Sequence, residues 1–306
     1  MLKKIRIRVK GKGEIGKMLR SMYSGISGMK ANQTKMDVVG NNVANASTTA
    51  FKKSSVRFSD ALNQTILYSS QPGETIGGVN PGQVGIGVKV SSITKNMLQG
   101  SLQQTGIPSD IAIDGDGFFV VQLDKDEANG NISEGFTRDG SFSLDAKGRL
   151  VTADGYFLLA TDNEPVYIPD TAKNQDGESL RVISYNISKS GEISYVLEDG
   201  SKVNSYEDEN GVERQQTLKV ATFMNQNGLE AVGRNAYVDS ANSGEPRYNS
   251  EGSKIGLITQ GALEMSNVDL SEEFTDMIVT TRAFQASSKV ITTSDELLQE
   301  IINLKR

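Results

Sequence analysis

The chain has 306 residues, a net charge of -6 and neither His, Cys nor Trp. Without those side chains most nucleophilic catalysis, zinc binding and proton transfer near neutral pH are out of reach, so no enzyme, cofactor or metal is expected, and only carboxylate or lysine chemistry stays open. The acidic balance argues against nucleic acid as a partner, the lack of Cys excludes a disulfide scaffold, and no apolar run approaches the roughly 18 to 20 residues that insertion across a membrane requires.

Residues 1 to 17, MLKKIRIRVKGKGEIGK, set Lys3, Lys4, Arg6, Arg8, Lys10, Lys12 and Lys17 against Glu14 alone. Gly11, Gly13 and Gly16 match a dinucleotide fingerprint, and Gly11 to Lys17 match a phosphate loop up to Met18, where Ser or Thr would hold magnesium. Two features decide against nucleotide binding. Ile5, Ile7 and Val9 alternate with Arg6 and Arg8, whereas the central strand of such a fold is apolar on both faces. No alternation of strands and helices follows to hold the loop. The stretch is expected to be a disordered basic extension, or a segment upstream of a natural start at Met18. It has no apolar region of the kind a signal peptide carries.

From Met18 to Ser47 the apolar residues fall on a seven-residue repeat. Leu19 and Ile26, with Gln33 and Gly40, share one position, and Met22, Met29, Met36 and Val43 the other. Spacings alternating between three and four predict a helix with a narrow seam that needs another helix against it. Thr48 to Leu62 leaves the repeat as a turn into a short mixed segment. Residues 68 to 87, rich in Gly, Ser and Pro, cannot build a core of their own, yet a loop of that length in a compact domain tends to be functional. Residues 88 to 98 alternate as a strand does.

Between Ile107 and about Tyr248 the period is two, and short strands are parted by Asp-Gly, Lys-Gly, Ser-Gly and Asn-Gly steps, the chemistry of hairpins. This predicts an all-β central body. Asp114 and Asp116 read as turn residues rather than a calcium loop or a catalytic pair, because Gly117 follows with no Glu at the required distance. The last segment is again helical. Phe274, Met277, Phe284, Ile291, Leu298 and Ile302 fall on one seam without Pro or Gly, and Asp269 with Glu272 has capping-box spacing that starts the helix near Leu270. The two seamed helices, at opposite ends of the chain, are each expected to be the other's partner.

Three separated stretches carry a resemblance. The opening MLRSMYSGISGMKANQTKMDVVGNNVANASTTAFK, with Asn41, Asn42, Ala44, Asn45, Phe51 and Lys52, the run GDGFFVV followed by FTRDGSFSLDAKGRLVTADGY, and the close SNVDLSEEFTDMIVTTRAFQ together resemble the bacterial flagellar rod and hook proteins. The resemblance covers Met18 to Arg306. It implies a mixed α and β fold in which the long N- and C-terminal helices form a coiled-coil inner domain around an export channel, with a β-rich domain outside. The implied division is 1–17 as extension, 18–88 with 258–306 as the discontinuous inner domain, and 89–257 as the outer one. It also implies copies of the same chain as partners in a helical tube, with neighbouring rod and hook-filament junction proteins beyond it. The flagellar export apparatus and hook cap would act during assembly, and the location would be the hook or basal body, reached without a cleaved signal peptide. Within the family, MYSGISGMKANQTKMDVVGNN, SSVRFSDAL and the Ile291 to Glu296 run resemble hook protein, the expectation favoured here. The short β body and the overall length resemble a distal rod subunit, the alternative.

Overall fold

The computed structural model describes residues 5–72, 77–125, 132–173, 178–207, 213–249 and 255–304, with side chains of the first helix from Arg20 onward. The chain divides into two compact units. Residues 1–44, 54–95 and 269–306 make one, and 45–53 with 96–268 the other. The expected division lay at 88/89 and 257/258; in addition, residues 45–53 after the first helix are tied by hydrogen bonds into the second unit.

The first unit holds helix α1 (Ile5–Ala44), helix α2 (Leu270–Leu304) and four strands, β1 (Ser54–Asp60), β2 (Asn63–Leu67), β3 (Gly82–Gly85) and β4 (Val88–Lys95). α1 begins at Ile5, so the stretch expected to be a disordered extension is helical where it is described. Residues 1–4 lie outside the described residues. Lys, Arg, Glu and Met are good helix formers, and lengthening an existing helix avoids the cost of a new nucleus. The Gly11 to Lys17 match therefore sits inside a helix, not on a strand–loop–helix turn. α2 starts where the cap spacing placed it, with Asp269 Oδ1 accepting from the backbone N–H of Ser271 at 2.8 Å and Glu272 at 3.3 Å.

The strands of this unit form one long two-stranded ribbon. β1 pairs antiparallel with β4 from Ser54↔Lys95 to Asp60↔Val88, β2 continues against β3, and a bridge joins Ser70 to Val79. Part of the stretch read as a loop, 68 to 87, is thus an arm of a hairpin. Where the ribbon meets α1, the N–H of Val88 donates to Ser27 Oγ at 3.2 Å. Gly87 beside it has φ +147°, and any Cβ there would collide with that hydroxyl.

The second unit is the expected β body. Among the described residues its main sheet has nine strands. At its centre β7 (Phe118–Lys125) pairs with β8 (Ile132–Thr137), Phe157–Leu158 and Val220–Thr222. Two shorter strands, β5 (Leu102–Gln104) and β6 (Ile111–Asp114), pair with Ala262–Glu264 and Leu257–Gln260. Successive residues of β7 feed two separate cores. Phe119 and Val121 join Ile113, Phe142, Leu150, Tyr195 and Leu218 on one side, while Phe118 and Val120 join Met97, Phe136, Phe223 and Tyr237 on the other. That accounts for the unbroken run FFVV, since a strand buried on both faces need not alternate. The hairpin signals hold as well. Gly148, Gly155, Gly191 and Gly200 all take positive φ, as tight turns demand.

Because Phe119 is fully buried and meets Phe142 edge-on at 5.5 Å, Phe119→Ala should cost the β body about 3–5 kcal/mol. The shift of its urea midpoint measures this.

Candidate assembly surfaces

The two helices lie side by side and antiparallel within their unit. Ser21 Oγ is 3.2 Å from Ser294 Oγ, Lys35 Nζ is 3.2 Å from Asp276 Oδ2, and Asn42 Nδ2 donates to Glu273 Oε2 at 3.1 Å. Between these points the backbones come close. A Cβ built on Gly25 would sit 3.0 Å from Ile291 Cγ1, and one on Gly28 would sit 3.1 Å from Ser287 Oγ. The contact line on α1 is therefore Ser21, Gly25, Gly28, Lys35, Val39 and Asn42. On α2 the contacts run through Glu273, Asp276, Ser287, Ile291 and Ser294, and Glu273, Thr280 and Ser294 are buried.

The expected apolar stripes fall partly on this line and partly beside it. On α1 it lies one residue before the stripe throughout, which turns Met22, Met29, Met36 and Val43 to half-buried flanks and leaves Ile26 exposed. Leu19 lies in α1, with its side chain outside the described residues. On α2, Ile291 meets Gly25, Met277, Phe284 and Leu298 are half-buried, and Phe274 and Ile302 are exposed. The physical reason is size. Gly, Ser and Thr let two backbones approach, and the hydroxyls bring no unpaired group with them, because each bonds back to its own helix. Thr280 Oγ1 donates to Asp276 O at 2.6 Å, Ser287 Oγ to Ala283 O at 2.9 Å and Ser294 Oγ to Val290 O at 2.7 Å. A count of apolar residues passes over such a line. A search for small residues seven apart would have found it.

Large apolar side chains remain outside. Leu270, Phe274 and Ile278 follow one another at helical spacing, and Val290, Leu297, Ile301 and Leu304 make a second stripe, with Ile278 63 % exposed and Leu304 87 %. The distal ribbon adds Leu62, Ile66, Leu67 and Tyr68, the last 83 % exposed.

The motif residues hold the chain where α1 ends. Asn42, buried, also donates to Ser54 O at 2.9 Å and accepts from Ser54 N at 3.0 Å. Asn41 and Ala44 are exposed, and Asn45 accepts from Thr48 through its backbone and side-chain oxygens. Phe51 is half-buried. Lys52 enters the β body. Its ammonium reaches Glu264 Oε1 at 2.6 Å and Leu98 O at 2.8 Å, while Glu264 Oε1 also takes the N–H of Gly100 at 2.8 Å and Oε2 takes Arg138 Nη1 at 3.2 Å. All three charged side chains are buried. Burial pushes the Lys52 ammonium below its ordinary value against the pull of Glu264. Asn267 completes the group, accepting from Lys53 N at 2.8 Å and donating to Asn96 O at 2.8 Å and Leu98 O at 3.0 Å. Glu264, Arg138 and Asn267 were not legible as partners of Lys52, since they lie far from it in sequence.

Asp114 is the last residue of β6 and accepts from Gln99, and Asp116 lies in the bend that follows and accepts from Gln226; no cluster of carboxylates suited to a metal occurs among the described residues.

Three family models match the chain: "Flagella basal body rod protein" over residues 22–52, "Flagellar hook protein FlgE/F/G D1 domain" over 112–195, and "Flagellar basal body rod FlgEFG protein C-terminal" over 259–304. Among curated proteins it is similar to the flagellar basal-body rod protein FlgG of Bacillus subtilis, 44 % identical over 291 residues that cover 94 % of this chain and 100 % of that one. The FlgG of Borreliella burgdorferi is 35 % identical over 292 residues with the same coverage. The flagellar hook protein FlgE of that organism is 30 % identical, but over 448 aligned positions.

Gly25→Leu should drive a side chain into Ile291 and destabilise the helix pair by about 1–3 kcal/mol. Gly40→Ala, whose Cβ would meet nothing within 4 Å, should instead strengthen α1 by about 0.5–1 kcal/mol. Thermal melts followed by far-ultraviolet circular dichroism separate the two.

Proposed function

Since the chain belongs to the flagellar rod and hook protein family, whose members are structural subunits of the flagellar axis, we propose that it is a rod subunit of the basal body rather than a hook subunit. The observation that carries this is length. Relatives named as rod proteins align end to end over 289 to 293 residues, whereas those named as hook proteins need 448 and 470 positions, more than this chain has. The hook-like motifs favoured from sequence are then features common to the family, and the missing outer insertion is the better discriminator.

The terminal helices are read here as a coiled-coil inner domain whose outward apolar stripes meet other copies. A head-to-tail contact whose rotation does not close builds a helical tube, and each large apolar side chain buried there contributes about 1.5–3 kcal/mol. In this reading Phe274 and Ile302 on α2 and Ile26 on α1, with Leu19, Met22, Met29, Met36 and Val43 around it, are contacts between subunits. The ribbon belongs to the same surface, for a two-stranded hairpin is at best marginal in water, and its exposed Leu62, Ile66 and Tyr68 gain stability against neighbouring copies. Other rod and hook proteins at the ends of the tube, and the export apparatus during assembly, are the further partners of this role. It asks for no catalysis and no cofactor.

Phe274→Glu with Ile278→Glu should leave the β body folded and abolish polymer formation, read by sedimentation and negative-stain microscopy. Immunogold labelling of intact basal bodies with antibody to the β body should mark the straight shaft. Label along the curved segment outside the envelope would return the chain to the hook.

A further inference from the structure

The chain crosses between its two units at four peptide links, 44–45, 53–54, 95–96 and 268–269. Whatever force one unit exerts on the other along the chain passes through those links. On the β-body side the three segments that receive them are knotted together. Asn96 N donates to Lys53 O at 2.8 Å, Asn267 N to Phe51 O at 3.4 Å and Ala50 N to Glu264 O at 2.8 Å, and Asn267 clamps Lys53, Asn96 and Leu98 with its carboxamide. Beneath them lies Glu264 with Lys52, Arg138 and the Gly100 N–H.

We propose that the Lys52–Glu264–Arg138 group, with Asn267, is a mechanical clasp that makes residues 45–53, 96–98 and 264–267 one rigid joint. The assignment of a mechanical role rests on the reading of the chain as a subunit of a turning axis. Two details favour a joint over ordinary packing. Residues 45–53 supply only Ala50 to the fully buried apolar set, so polar and ionic bonds, not a core, hold the segment in place. Those bonds are directional. A sheared apolar contact can slide to a neighbouring position with little loss, whereas a buried carboxylate separated from its cation is left uncompensated. The clasp therefore resists displacement abruptly rather than gradually.

Native-state hydrogen exchange on the purified full chain tests this. In Lys52→Met the amides of Ala50, Lys53, Asn96 and Gly100 should lose protection by about 100-fold or more, while those of β7 and β8 keep theirs. Loss spread evenly through the β body would make the group a general stabiliser and overturn the proposal, as would no change. Asn267→Ala, which leaves the ion group whole, should open Lys53 and Asn96 in the same local manner. If both variants unfold the whole β body, the proposal fails. The measurement takes no account of where the protein sits in the cell, so the clasp and the rod reading can fail separately.

Discussion

A carboxylate removed from water has to be met by cations and N–H groups, and in this molecule that demand falls on Glu264. Its two oxygens take an ammonium, a guanidinium and a backbone amide. Breaking such a pair by removing one partner leaves a buried charge alone, which is why the arrangement is all or none. The cations come from distant places in the chain, Lys52 just after the first helix and Arg138 just after β8, so a single acidic side chain fixes the course of three segments. It also explains why residues 45–53 belong to the β body although both flanking stretches belong to the helical unit. Composition changes at one point in the chain and structure at another, and the offset is set by this ion group.

The helical unit follows from a different constraint, that of distance between backbones. Gly25 and Gly28 on one helix and Ser287 and Ser294 on the other remove the side-chain volume that would hold the pair apart. Close packing of this kind uses few large apolar residues. The helices can pair within one chain and still present Phe274, Ile278, Leu297 and Leu304 outward. A protein that buried all of those internally would have no apolar face left for association. In this one the division of labour between small and large residues leaves two.

Much of this was legible in the sequence. Asp269 and Glu272 located the start of α2 because capping chemistry is local, and the Gly turns located hairpins because positive φ is a property of one residue. The existence of both terminal helices came from periodicity, and the family from three motifs. What was not legible depends on contacts between residues remote in the chain. On α1 the contact line lies one residue from the apolar stripe, because Ser21, Gly25 and Gly28 carry no apolar bulk for a periodicity to register. Nothing local to Arg138 or Glu264 marks them as partners of Lys52, which lies 86 and 212 residues away from them in the chain. The ribbon arm of 68 to 87 was hidden by its Gly and Pro content, since a strand that pairs with only one neighbour needs few β-branched residues to be held there.

The ribbon has a further consequence for solubility. Its root, where β1 and β4 pair, carries Arg57, Lys89 and Lys95, charges of the sort that keep an exposed strand edge from joining another chain. Its outer strands, β2 and β3, have none. β2 reads NQTIL and β3 GQVG, uncharged and open along both edges. One hairpin thus carries a guarded base and uncharged outer strands. Uncharged edges of this kind are open to pairing with another chain, whereas the charges at the root oppose it.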